Sequence, residues 1–133
     1  FSDGAVYEGE MKDNMKQGKG TYTHSDGKKY SGEFKNDMKN GNGILTYANG
    51  DKYTGTFKDE LFDGEGVFTY VDGAHYKGDY KNNLFHGKGI LKFPDGAVYD
   101  GEWEAGTYHG KGKYVFPDGK IQDGQFSKGK FVG

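Results

Sequence analysis

Residues 29–58 read KYSGEFKNDMKNGNGILTYANGDKYTGTFK, and the opening motif returns 23 positions later as Lys52-Tyr-Thr-Gly-Thr-Phe-Lys58. A fixed period decides the architecture ahead of local propensity, because every unit must then repeat one structure. Tyr7, Tyr30, Tyr53, Tyr76 and Tyr99 hold this register without an insertion, and Gly9, Gly32, Gly55, Gly78, Gly101 and Gly124 follow two residues behind. The pairs Gly18/Gly20, Gly41/Gly43, Gly64/Gly66, Gly87/Gly89 and Gly110/Gly112 recur in step. So do Asp3-Gly4, Asp26-Gly27, Asn49-Gly50, Asp72-Gly73, Asp95-Gly96 and Asp118-Gly119.

Within one period, residues 28–35 alternate, with Tyr30, Gly32 and Phe34 on one face and Lys29, Ser31, Glu33 and Lys35 on the other. That is the pattern of a half-buried strand. A second strand is expected over Gly43–Tyr47, sending Leu45 and Tyr47 to one side and Ile44 and Thr46 to the other. The Asp-Gly and Asn-Gly pairs are expected to form the tight reversals. Each unit is then a β-hairpin, and connections this short make all neighbouring strands antiparallel. The result is an all-β, single-layer meander of about eleven strands. It grows by about 10 Å per repeat to roughly 50 Å, and it must twist or curve.

The combination Tyr-x-Gly-x-aromatic, Gly-x-Gly and Asp-Gly at a 23-residue period resembles the MORN (Membrane Occupation and Recognition Nexus) repeat. The resemblance covers residues 1–133 as one array of five full repeats and a degenerate sixth, in which Gln122 stands where a tyrosine is expected. It implies a single-layer antiparallel sheet with an aromatic-lined groove, used in protein interaction or in cytoskeletal or membrane-associated scaffolding. Such arrays are sometimes fused to lipid kinases or methyltransferases. The absence of an initial methionine and the stop at Gly133, inside a Gly-x-Gly pair, lead us to expect a longer parent chain, and an alternative to the scaffold reading makes this array the regulatory or targeting module of a larger enzyme. An intracellular, cytoplasmic location with cytoskeletal or membrane association is the matching expectation.

Composition narrows the function. The chain has 133 residues and 25 glycines, but 17% of it is aromatic, which supplies the apolar area that disordered chains lack. A formal net charge of -2 offers no field for nucleic acid. There is no cysteine for a disulfide framework or a thiolate metal cluster, and no apolar run approaches membrane-spanning length.

Glycine weakens a strand interior, so columns of it need a packing reason. Rings on neighbouring strands lying over the bare backbone provide one. The inward columns are Tyr30, Tyr53, Tyr76, Tyr99; Phe34, Phe57, Tyr80, Trp103; Tyr22, Leu45, Phe68, Leu91, Tyr114; and His24, Tyr47, Tyr70, Phe93, Phe116. No second set of strands and no helical pattern is present to cover them, although Leu61-Phe62, Leu84-Phe85 and Tyr108 are expected to fold over one margin as loops. An uncovered aromatic stripe on this scale marks a partner site. The candidate groove is therefore Tyr30, Phe34, Tyr47, Tyr53, Phe57, Tyr70, Tyr76, Tyr80, Phe93, Tyr99, Trp103 and Phe116, with most ring area expected near Tyr76, Tyr99 and Trp103. Its expected occupant is a peptide or helix of a partner protein, or another copy of the chain in a homodimer.

The polar face carries Lys12, Lys35, Lys58 and Lys81 in one column, with Lys16 and Lys39 expected in nearby loops. This row could meet anionic lipid headgroups at about 1 kcal/mol per cation, but Glu33, Asp37, Asp59, Glu60 and Asp79 lie among these lysines and Glu104 ends the column. The Gly-Lys-Gly segments lack the spacing and the helix of a phosphate loop. His86 and His109, about 10 Å apart, lack further ligands, and the Asp-Gly turns lack the ligand density of a calcium loop. No nucleophile motif and no pocket that would shift a catalytic pKa is apparent, so the chain reads as a non-enzyme without cofactor.

Overall fold

The structure, a computed structural model, describes residues 4–133. Asp3 of the expected Asp3-Gly4 turn falls outside the described residues. Twelve strands run as β1 (Val6–Lys12), β2 (Met15–Thr23), β3 (Lys29–Lys35), β4 (Met38–Thr46), β5 (Lys52–Lys58), β6 (Leu61–Thr69), β7 (His75–Lys81), β8 (Leu84–Lys92), β9 (Val98–Glu104), β10 (Thr107–Val115), β11 (Ile121–Ser127) and β12 (Lys130–Phe131). They form one sheet in chain order. Every strand pair is antiparallel, as the period requires. The accessible surface is 7945 Å², against about 6,900 Å² for a compact monomer of this mass. The excess is what an open single layer produces.

The reversals differ from the sequence expectation. The tightest are not at Asp-Gly but at Asn36-Asp37 and its equivalents, where both residues take positive φ (50° and 68°). Two such residues make the mirror-image turn whose twist matches the flanking strands. The second strand of each unit therefore starts at Met38, five residues before Gly43. Residues 61–62, 84–85 and 108 are consequently strand rather than loop, and so are Lys16 and Lys39. The Asn49-Gly50 reversal is wider: Gly50 N–H donates to Tyr47 O at 3.0 Å and Tyr47 N–H to Asp51 O at 2.8 Å. Asn49 Oδ1 accepts the Asp51 N–H at 3.0 Å, and only the glycine of the pair has positive φ. This divides the labour of the Asx-Gly pair, with the side chain fastening the turn and the glycine turning it.

The two glycines of Gly-x-Gly also do different things. Gly32 pairs with Gly43 while Phe34 pairs with Lys39, so β4 spends four steps against two on β3. Gly41, at φ 89°, accommodates the resulting bulge. On the other face, the Glu33 carboxylate accepts the Asn42 N–H at 2.6 Å. Gly43 supplies bare backbone.

That bare backbone is where the core sits. The Tyr30 hydroxyl donates to Glu33 O at 2.6 Å, Tyr53 to Thr56 O, Tyr76 to Asp79 O and Tyr99 to Glu102 O, each at 2.8 Å. The bond three residues ahead holds each ring flat along its own strand. A methyl at Gly66 would lie 2.5 Å from Tyr53 Cε1. The rings then meet edge-on from repeat to repeat: Tyr30–Phe57 at 5.1 Å and 88°, Tyr53–Tyr80 at 5.1 Å and 90°, Tyr76–Trp103 at 5.5 Å and 86°, Tyr99–Phe126 at 5.2 Å and 90°. Edge-to-face pairs of this kind contribute about 0.5–1.5 kcal/mol each beyond their burial. A third ring closes the stack, with Phe62 on Tyr53 at 3.9 Å, Phe85 on Tyr76 at 3.8 Å and Tyr108 on Tyr99 at 4.1 Å. Among the described residues neither a second sheet nor a helix covers this face. It is roofed by its own side chains.

Candidate functional site: the aromatic face

Of the twelve candidate groove residues, Tyr30, Phe34, Tyr53, Phe57, Tyr76, Tyr80, Tyr99 and Trp103 are the floor of the sheet rather than its surface. Tyr76 and Tyr99 are 0% exposed and Trp103 4%, so the expectation of greatest open ring area at these three is reversed. The cause is the lid ring from the following strand, which the loop reading of residues 61–62, 84–85 and 108 could not supply.

The other four candidates keep open ring area. Tyr47, Tyr70, Phe93 and Phe116 lie one residue beyond β4, β6, β8 and β10 and are half-buried. They lean on half-buried neighbours: Tyr47–Phe68 at 5.9 Å, Phe68–Tyr70 at 4.5 Å, Phe93–Tyr114 at 5.8 Å and Tyr114–Phe116 at 4.7 Å. The accessible aromatic surface is therefore a rim beside the Asx-Gly turns, repeating about every 10 Å.

Burial keeps the floor phenols neutral. Desolvation pushes Tyr53 and Tyr99 up to about 12 and Tyr30 and Tyr76 higher still, so they act as hydrogen-bond donors to carbonyls. Trp103 Nε1 donates to Gly89 O at 3.1 Å. The Tyr80 hydroxyl is the exception, buried without a hydrogen-bond partner among the described residues.

Sequence reasoning missed the most distinctive side chains of this face. Lys16 and Lys39 occupy the lid column that continues as Phe62, Phe85, Tyr108 and Phe131, a series legible in the same period. Lys39 is 7% exposed, with Nζ 3.0 Å from Glu60 Oε2 and 5.5 Å from the Tyr30 ring centre. Lys16 Nζ lies 3.4 Å from Asp37 Oδ1 and 4.8 Å from the Tyr22 ring centre. A flexible amine covers less than a ring, and two adjoining notches open here. One, of ≈ 220 Å³, is lined by Lys16, Tyr22, His24, Phe34, Asp37, Lys39 and Glu60. The other, of ≈ 430 Å³, shares His24, Lys39 and Glu60 and adds Lys28, Tyr47 and Asn83 among its walls. His24, in the rim column, stands 4.5 Å from the Tyr22 ring. Burial first, then the Lys39 and Lys28 charges, hold its pKa below the ordinary imidazole value.

The four candidate headgroup lysines, Lys12, Lys35, Lys58 and Lys81, are exposed at the ends of β1, β3, β5 and β7. None forms an ion pair among the described residues. Asp13 and Asp59 follow Lys12 and Lys58 directly. Among the described residues no three His, Asp or Glu side chains converge as metal ligands, and His109 Nε2 instead meets Glu104 at 3.1 Å. No described helix is long and apolar enough to cross a membrane.

Comparison with curated proteins found no match. The MORN repeat family matches residues 7–29, 30–52, 53–75, 76–98 and 99–121, with each match beginning on a floor tyrosine except the first, whose Tyr7 is half-buried. Repeats of this type are non-catalytic and generally serve protein–protein or membrane interactions. By a match spanning most of its length, the chain belongs to the MORN repeat family.

Proposed function

We propose that this protein is a non-catalytic interaction scaffold whose aromatic rim receives an amphipathic helix of a partner protein, with residues 1–133 acting as one continuous array. The observation that carries the reading is the row Tyr47, Tyr70, Phe93 and Phe116, half-buried rings that the molecule's own lids leave open. Two strand spacings advance about 10 Å, and seven residues of helix advance about 10.5 Å. Apolar residues of a helix at i and i+7 therefore meet successive rim rings, with i+3 and i+4 filling between. Aromatic side chains suit this use because they bring large area at low rotamer cost.

The test replaces rim rings rather than floor rings. Tyr70→Ser, Phe93→Ser and Phe116→Ser together should leave the fold intact by circular dichroism and remove the proteins captured by the wild-type chain from cell extract. A folded variant that captures the same proteins at the same levels overturns the reading. A homodimer through the same rim would appear in sedimentation of the isolated chain and vanish in this variant.

A second reading, contact with an anionic membrane surface, is favoured by one observation: four exposed lysines, Lys12, Lys35, Lys58 and Lys81, recur at the 23-residue period without ion-pair partners among the described residues. Flotation with vesicles containing phosphatidylserine or a phosphoinositide decides it. Binding that weakens with salt and disappears when Lys12, Lys35, Lys58 and Lys81 become Gln supports it, and the absence of flotation at low salt ends it.

A further inference from the structure

The rim and its lids are chemically polarised. Over the units starting at Tyr7 and Tyr30 the lid is Lys16 or Lys39, and over those starting at Tyr53, Tyr76 and Tyr99 it is Phe62, Phe85 or Tyr108. Both notches on this face described above lie at the lysine end. Their charged lining is Lys16, Lys28 and Lys39 against Asp37 and Glu60, which leaves one positive charge with His24 neutral. Lys28 Nζ sits 5.9 Å from the Tyr47 ring centre and has no ion-pair partner among the described residues. His24 lines both notches, and its buried Nε2 has no hydrogen-bond partner among the described residues.

We propose that these notches form a carboxylate subsite, seating one acidic side chain or the free C-terminal carboxylate of the segment docked on the rim and thereby fixing the direction in which that segment lies. The proposal rests on the rim reading for its occupant but not for its chemistry. One carboxylate balances the surplus charge, whereas a phosphate dianion would overshoot it. The imidazole tautomer with its proton on Nε2 donates to one carboxylate oxygen, and Lys28 pairs with the other. Asp37 and Glu60 are held in the lining, because their carboxylates accept the Lys16 and Lys39 backbone N–H groups at 2.6 and 2.8 Å, so the newcomer meets a surplus of one positive charge. Lys39 is held in place by burial among rings. Among the described residues the other end has no equivalent, because Gly106 and Gly129 stand at the tight-turn position that Asp37 and Glu60 hold here.

Two measurements separate this claim from the rim reading. Acetate is titrated at constant ionic strength, with chloride and acetamide as controls, while the His24 ring and Lys28 side-chain signals are followed by NMR. Saturable shifts with acetate alone, weakened about fivefold or more by Lys28→Gln, are expected. Linear shifts, or shifts of equal size with chloride, overturn the subsite. In the second measurement, amidated amphipathic helical peptides carry a Leu/Phe stripe with one Glu in the first turn, one Glu in the last turn, or Gln at both. A fourth ends in a free carboxylate. One Glu placement, or the free carboxylate, should bind about tenfold tighter than the Gln peptide, and Lys28→Gln should erase that preference. Equal binding by all four refutes the orienting role and leaves the rim standing. Saturable acetate with no peptide bound refutes the rim and leaves the subsite standing.

Discussion

The two halves of the aromatic face share a floor and differ in their lid. From Tyr30 to Tyr99 the floor repeats one construction: a ring flat over two glycines, a hydroxyl bonded three residues ahead, and an edge-on ring from the next repeat. Above it the N-terminal units carry a lysine and the later ones a stacked ring. The clamp between repeats changes in parallel. Lys16 N–H donates to Asp37 Oδ1 at 2.6 Å, Lys39 N–H to Glu60 Oε1 at 2.8 Å and Phe62 N–H to Asn83 Oδ1 at 2.7 Å. At Gly106 and Gly129 only the backbone half of the clamp survives, with Gly106 N–H on Phe85 O at 2.9 Å and Gly129 N–H on Tyr108 O at 3.0 Å. The tyrosine and its paired glycines are identical in all four of these repeats, and the lid is where one array acquires two ends.

If the floor is common, its glycines should be equally intolerant in both halves. Gly43→Ala and Gly66→Ala each place a methyl inside a floor tyrosine ring, and each should cost about 3 kcal/mol as that ring is expelled. Urea unfolding of the two variants checks this. A cost under 1 kcal/mol at either position, or a difference of more than about 1 kcal/mol between them, would break the shared floor.

Lids, by contrast, should be unequal. Phe85→Ala removes a ring stacked on Tyr76 and should cost about 3 kcal/mol, the lower end of the usual range because Phe85 is only half-buried. Lys39→Ala removes a stem and a cation over Tyr30, worth about 1 kcal/mol. Lys39→Phe should raise stability, because it restores the stacked lid of the later units and leaves Glu60 free to reach solvent. Equal losses for the two alanine variants would mean that the lid column is indifferent to its chemistry.

Tyr80 sharpens the comparison by a smaller amount. It holds the place taken by Phe34, Phe57, Trp103 and Phe126 in other repeats, and among the described residues it is the one tyrosine of this face that buries a hydroxyl without a partner. Tyr80→Phe should therefore stabilise the isolated chain by about 1 kcal/mol. A loss of stability would show that the hydroxyl is satisfied in solution.

The fold was legible in the sequence because one period fixes hairpins, antiparallel order and the seat of each ring together. Gly43 and Tyr30 can be matched on paper, since only bare backbone admits a ring. The site was legible in part. Tyr47, Tyr70, Phe93 and Phe116 fall in a named column, but openness depends on what lies above a residue, and the lids come from strand segments that resemble turns. Asn36-Asp37 looks like ordinary polar sequence beside Asn49-Gly50, and the tighter reversal there moved Lys39, Phe62, Phe85 and Tyr108 from loop to sheet. Aligning Lys16 and Lys39 with Phe62 at the 23-residue offset would have exposed the change of lid.

The polarised lid should also make acid act first on one end. His24 has its pKa lowered by burial and by Lys39 and Lys28. The unfolded chain therefore takes up a proton near the ordinary value of 6.5 while the folded chain resists, and stability falls as pH drops through that value until His24 itself protonates. Asp37 is depressed by the Lys16 backbone hydrogen bond and then by the Lys16 charge. Its contribution is complete above the ordinary carboxylate value and disappears as pH falls through the depressed one. Both groups belong to the lysine-lidded end, so acidification should loosen β2–β4 before β7–β10. Amide exchange at pH 7.5 and 5.5 should show protection lost first around Tyr22 and Leu45, with the loss reduced in His24→Gln. Uniform loss along the sheet, or an unchanged response in His24→Gln, would mean that the imidazole does not set the acid limb and that the two ends are equally robust.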